Sequence, residues 1–99
     1  MAKLNFGVSI GKVVDIDLMD AAFASGSSEP KAALKQAIGP FVAKFANTPA
    51  VLRISYFKQG EDSALIRERL DVVERLMREE WKRVGRGKLI VERTIKYVQ

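Results

Sequence analysis

Phe23-Ala24-Ser25-Gly26-Ser27-Ser28-Glu29-Pro30 lies between an apolar strand pattern and a periodic helix pattern, where the chain has to turn. Gly26 permits backbone angles closed to other residues. Ser27 and Ser28 can cap free amides, and Pro30 suits the first turn of a helix. A first helix is therefore expected over 30–46, with Leu34, Ile38, Phe41, Val42 and Phe45 at spacings of three and four on one apolar face. Gly39-Pro40 is expected to interrupt or kink it, and Asn47-Thr48-Pro49 to end it. Arg69 falls near the start of a later helix. Loop and arginine together suggest a ligand pocket built from one loop and one helix terminus.

Working outward, residues 1–20 read as an N-terminal strand region. Leu4, Phe6, Val8 and Ile10 alternate at period two, and Val14, Ile16 and Leu18 repeat the pattern. Gly11-Lys12 between them reads as a bend, a bulge or a hairpin turn. Asp15 and Asp17 fall on the opposite, wet face of this half-buried strand. As a carboxylate pair for catalysis or metal binding they would need further ligands, and the sequence offers no strong candidates.

Downstream, Val51, Leu52, Ile54, Tyr56 and Phe57 read as a buried strand, followed by a loop over 58–63 in which Asp62 or Ser63 caps the next helix. That second helix is expected over 63–84. Its stripe is Ile66, Leu70, Val73, Met77, Trp81 and Val84, widened by Leu65, Val72 and Leu76. Trp81 is expected to pack with Met77 and Val84. Arg67–Asp71 and Arg75–Glu79 read as attractive surface pairs and Arg78–Lys82 as a repulsive one. Gly85 and Gly87 stop the helix. A C-terminal strand is expected over 88–98, with Leu89, Val91 and Ile95 inward and Ile90 and Val98 on the other face.

Strand, helix, strand, helix, strand predicts one domain over 1–99, an α/β (α+β) two-layer sandwich with both helices on one face of a mixed sheet. The 99 residues, 47% of them hydrophobic, suffice for one compact core and not two. Cysteine and histidine are absent, which removes disulfides, thiolate metal sites, zinc hydrolases and His-based triads. The net charge of +5 is spread along the chain: seven Lys/Arg against four Asp/Glu over 1–60, ten against eight over 61–99. Nucleic-acid binding, which needs a focused basic patch, is not expected. No apolar run approaches the length of a membrane span, and no signal-peptide pattern opens the chain. Nothing matches a P-loop or a dinucleotide fingerprint, so no cofactor is expected. With no nucleophile–base–orienter arrangement, no catalytic residue is assigned.

Several stretches, in order, resemble the OmpA-like domain family, especially the variants in flagellar stator and secretion-system inner-membrane proteins. VDIDLMDAAFASGSSE at 14–29 is similar to the family's strand and "FxSGSAxL" approach to the first helix. VLRISYFKQG at 51–60 takes the place of its central strand, which usually ends in Gly-His-Thr-Asp. LIRERLDVV at 65–73 resembles "LSxxRAxxV" and sets Arg69 on the family arginine. KLIVERTIKY at 88–97 resembles the last strand. The family binds peptidoglycan non-covalently, its loop aspartate and helix arginine holding the diaminopimelate of the stem peptide. An ammonium is matched there to a carboxylate, and a carboxylate to a guanidinium fork.

The chain departs from that pattern. Tyr56, Phe57, Lys58 and Gln59 stand where Gly, His, Thr and Asp would, and the loop from Gln59 to Leu65 is shorter. Gln59, Glu61, Asp62 and Arg69 are the candidate residues of a degenerate ligand pocket. Arg69, among Ile66, Leu70 and Val73, reads either as directed toward a cleft or as one more surface arginine. The resemblance implies a non-catalytic structural or protein-interaction module of a bacterial envelope, secretion or conjugation-type complex. It would work in the periplasm or cell envelope as a piece of a longer, membrane-anchored protein, without itself entering the membrane. The alternative is a working peptidoglycan anchor that uses Arg69 and a loop carboxylate. As an interaction module, with envelope proteins or a second copy as partner, it would use an exposed sheet edge or the face near Arg69.

Overall fold

The computed structural model describes residues 12–97. Within them the order is β1 (Lys12–Leu18), a single 3-10 turn (Asp20–Ala22), α1 (Ala32–Ala43), β2 (Ala50–Lys58), α2 (Ser63–Val84) and β3 (Leu89–Tyr97). The extended pattern from Leu4 to Ile10, the Gly11 bend and Val98 lie outside the described residues.

The strands form one sheet in the order β1-β2-β3. Both pairings are parallel: Val14 faces Leu52 and Leu18 faces Tyr56, while Leu52 faces Val91 and Tyr56 faces Ile95. The expected mixed sheet is thus corrected, among the described residues, to a parallel one. Each parallel pair needs a crossover, here α1 and then α2. Both crossovers step the same way across the sheet, so the right-handed rule puts both helices on one face. That part of the expected two-layer α+β arrangement is present. The covered face carries Val14, Ile16, Leu18, Leu52, Ile54 and Tyr56, which join Ile38, Val42, Phe45, Ile66, Leu70, Val73 and Met77 in one core. Each such apolar side chain taken fully from water stabilises the fold by ~1.5–3 kcal/mol. Asp15 and Asp17 are exposed on the far side, as their alternation implies.

Several local expectations are revised. The first helix begins at Ala32 with Lys31 as N-cap, because Pro30 is buried and bridged to Phe23 instead of opening the helix. It also runs through Gly39 and Pro40 as one element and ends at Ala43, short of the expected 46. The second helix spans 63–84, as its stripe and its punctuation predict. Asp71 does not pair with Arg67; it takes Arg93 of β3 at 2.8 Å. Arg78 pairs with Glu74 at 2.9 Å, and Arg75 with Glu79 at 3.9 Å. Ile95, expected inside, is 41% exposed. It sits near the end of the edge strand, beside the buried Tyr56 of β2.

Trp81 stacks on Phe45, with ring centroids 5.8 Å apart, and its indole N–H donates to the Gly87 carbonyl at 3.2 Å. The ring lies where a side chain at position 85 would be, so a Cβ there would overlap it. Gly85 therefore lets the chain leave the helix directly over the Trp81 ring.

Candidate functional site

Beyond β1 the chain makes the 3-10 turn that carries Asp20, then folds the Phe23–Pro30 stretch into a closed loop. The Ala24 amide donates to the Glu29 carbonyl at 2.9 Å, the Ser27 amide to the Ala24 carbonyl at 3.0 Å, and the Lys31 amide to the Ala22 carbonyl at 2.9 Å. Gly26 turns the loop with φ of 65°. Ser27 Oγ accepts from the Glu29 amide at 3.0 Å, so it shapes the loop and does not cap α1. Such a loop keeps carbonyls that need donors.

Arg69 supplies them. It projects from the apolar stripe of α2 and is the one fully buried charged side chain among the described residues. Its Nε donates to the Ser27 carbonyl at 2.8 Å and its Nη2 to the Ala24 carbonyl at 3.4 Å. Its Nη1 donates to Asp20 Oδ1 at 2.8 Å and to the Tyr56 hydroxyl at 2.7 Å. The guanidinium carbon lies 4.8 Å from the centre of the Phe23 ring. Burial opposes the charge, but Asp20 and Tyr56 outweigh it and keep the arginine more firmly protonated than usual.

Tyr56 carries the chain of contacts onward, its hydroxyl donating to Glu61 Oε2 at 2.7 Å. Burial first, then the bond to Glu61, pushes its phenol up to about 12, so at neutral pH it is a neutral donor. Glu61 sits in the turn after β2 and also accepts from the Gln59 amide at 2.5 Å. Burial works against its ionisation. The Tyr56 hydroxyl, the Gln59 amide, its own amide and Arg69 overcome that and hold its carboxyl below the ordinary carboxylate range. Its Oε2 is 4.0 Å from Arg69 Nη1.

Of the candidate residues, Arg69 and Glu61 converge through Tyr56. Gln59 contributes its backbone amide and is exposed. Asp62 caps α2, accepting from the Ala64 amide at 3.2 Å. Asp20, Phe23 and Tyr56, the residues that hold Arg69, are absent from the sequence-derived set. One signal points to them. An arginine three residues past Ile66 and four before Val73 lies on the buried stripe, and a buried guanidinium needs an acid and carbonyls close by. Asp20, just ahead of the loop, is that acid.

The arrangement is a row of matched charges and dipoles, Asp20–Arg69–Tyr56–Glu61, closed on itself. Four of the five guanidinium N–H groups have acceptors within the chain. No buried side-chain polar atom among the described residues lacks a partner. An open hollow of about 520 Å3 lies elsewhere, along α2 and β3, walled by Asp71, Glu74, Arg78 and Arg93. Among the described residues no group of three or more acidic side chains gathers as a metal site, and no helix is long and apolar enough to cross a membrane. Comparison with family models, with curated proteins and with solved structures finds no match.

Proposed function

We propose that this chain is a non-catalytic structural and protein-interaction module of a bacterial envelope, secretion or conjugation-type assembly, in which the ligand arginine of an OmpA-like pocket has become an internal tether. The observation that carries the reading is the state of Arg69: buried, with its fork spent on Asp20, Tyr56 and the carbonyls of Ala24 and Ser27. A guanidinium that already has its acceptors gains little from a ligand carboxylate, which would have to displace them. The resemblance supplies the envelope setting, and the departures at Tyr56 and Gln59 supply the loss of ligand binding.

Sedimentation of the protein with purified sacculi tests the reading. No saturable co-sedimentation is expected, and diaminopimelate should leave the amide resonances of Gln59, Glu61, Asp62 and Arg69 unshifted. Saturable binding, with shifts confined to those residues, would reinstate the anchoring function, with Glu61 beside Arg69 as its carboxylate.

A further inference from the structure

Among the described residues the sheet ends at β3, and that strand leaves apolar surface in the open. Ile90, Ile95 and Tyr97 are 39%, 41% and 68% exposed. One side of β3 is bonded to β2, and no described strand pairs with its other side. A free strand edge presents a row of N–H and C=O groups that a further strand can complete. We propose that β3 is a homodimer interface. Two copies join antiparallel through this strand about a two-fold axis at Thr94, forming one six-stranded sheet with all four helices on the same face. The inference rests on the reading of the chain as a protein-interaction module and names its partner as a second copy.

The charge pattern of the strand selects the occupant and the register. In a two-fold antiparallel pair each residue faces one on the same side of the sheet. Centring on Thr94 sets Glu92 opposite Lys96 of the second copy, and Lys96 opposite its Glu92. Thr94 then faces Thr94 and Val91 faces Tyr97, all favourable cross-strand pairs. Arg93 faces Ile95, where its aliphatic stem covers apolar surface. Neighbouring centres do worse. Centring on Glu92, Arg93 or Lys96 sets like charges face to face, and centring on Ile95 leaves neither Glu92 nor Lys96 opposite an opposite charge. The two charges of the ion pair are already positioned on the helix-free face. Arg53 Nε lies 3.5 Å from Glu92, and the Lys96 ammonium lies 5.7 Å from the centre of the Phe57 ring.

Charge exchange and cross-linking test this. The wild type should show concentration-dependent dimers in sedimentation. Glu92→Lys and Lys96→Glu, each confirmed folded by circular dichroism, should each weaken self-association by about tenfold or more, since each turns both ion pairs repulsive. An equimolar mixture of the two variants should restore it. In the mixed dimer the two introduced side chains face each other as a lysine and a glutamate, and the two unchanged ones do the same. The chain has no cysteine, so Thr94→Cys should form a disulfide dimer under mild oxidation, and faster than Glu92→Cys or Lys96→Cys. The cysteine series stands alone if Glu92→Lys, which sets a second cation beside Arg53, prevents folding. A wild type that stays monomeric at high micromolar concentration would overturn the proposal. So would a dimer indifferent to both charge changes, or cross-linking no faster at 94. A monomer that ignores sacculi would remove the dimer and leave the scaffold reading standing; a dimer that binds sacculi would do the reverse.

Discussion

The Arg69 corner and the β3 edge manage their polar groups in opposite ways. At the corner, a loop with spare carbonyls, a buried guanidinium, a phenol and two carboxylates satisfy one another inside the chain. At the edge, a nine-residue strand keeps one side free of any described partner and holds apolar side chains in water. At the corner, four of the five guanidinium N–H groups are already taken up within the chain. The edge keeps backbone polar groups and apolar side chains that no other described strand covers.

The contrast breaks most visibly at Arg69. Arg69→Ala leaves the Ser27 carbonyl and the Tyr56 hydroxyl short of a donor and opens a cavity beside Phe23. A loss of about 3–5 kcal/mol is expected in chemical denaturation, a large part of a small domain's stability. Arg69→Lys keeps the charge but has one donor group where the fork reaches four acceptors. It should lose about 1–3 kcal/mol. If Arg69→Ala changes stability by less than about 1 kcal/mol, within the range of an ordinary surface contact, the arginine is no tether and the case for a closed corner collapses.

A second, smaller effect appears in the pH dependence. The carboxyl of Glu61 is depressed in the folded state, so its contribution is present above the ordinary carboxylate pKa of 4.5 and is lost as pH falls through the folded value. Glu61→Gln should lower stability at neutral pH by about 1.5–3 kcal/mol and flatten the acid limb of the stability profile. Tyr56 has the opposite sign. Its folded pKa is raised from 10.0 to about 12, so its contribution is full below pH 10 and disappears as pH rises through the folded value. Tyr56→Phe should remove that alkaline loss. Unchanged profiles in both variants would separate Tyr56 and Glu61 from the Arg69 network.

How much of this is legible in the sequence follows from the kind of signal each part carries. The second helix can be read to the residue because Asp62 and Gly85 punctuate a strong apolar stripe. The first helix is shorter than its pattern predicts. Pro30 suits a helix start in general, but here tertiary pairing with Phe23 claims it. Gly39-Pro40 reads as a break, yet the helix packs through it. Strand positions are visible from alternation, whereas strand direction is not, because period two is the same in parallel and antiparallel ladders. At the site, the sequence marks Arg69 as a residue of interest but leaves its burial open. Its partners before the first helix lie 42, 45 and 49 positions away, so the one signal for them is the place of Arg69 on the apolar stripe of its helix.

The weakest expected effect sharpens the comparison from the surface side. Arg75 and Glu79 lie one helical turn apart at 3.9 Å, with side chains 61% and 63% exposed. Two long side chains in water lose entropy to meet, and solvent screens what they gain. Arg75→Ala should therefore change stability by no more than about 0.5 kcal/mol. Arg93 also lies outside the core, but it joins β3 to α2 through Asp71 at 2.8 Å and Glu74 at 3.2 Å, and is itself less than a third exposed. Arg93→Ala should lose about 1 kcal/mol, and added salt should shrink that loss. The expected order is then Arg69, Arg93, Arg75, which tracks how completely the fold encloses each guanidinium rather than how many carboxylates stand near it. Denaturant midpoints for the three alanine variants at low and high salt would establish it. Arg93→Ala as damaging as Arg69→Ala would mean that β3 is locked to α2 as firmly as the loop is locked to the core. The edge strand would then be a second closed region, and the distinction between an enclosed corner and an open edge would no longer hold.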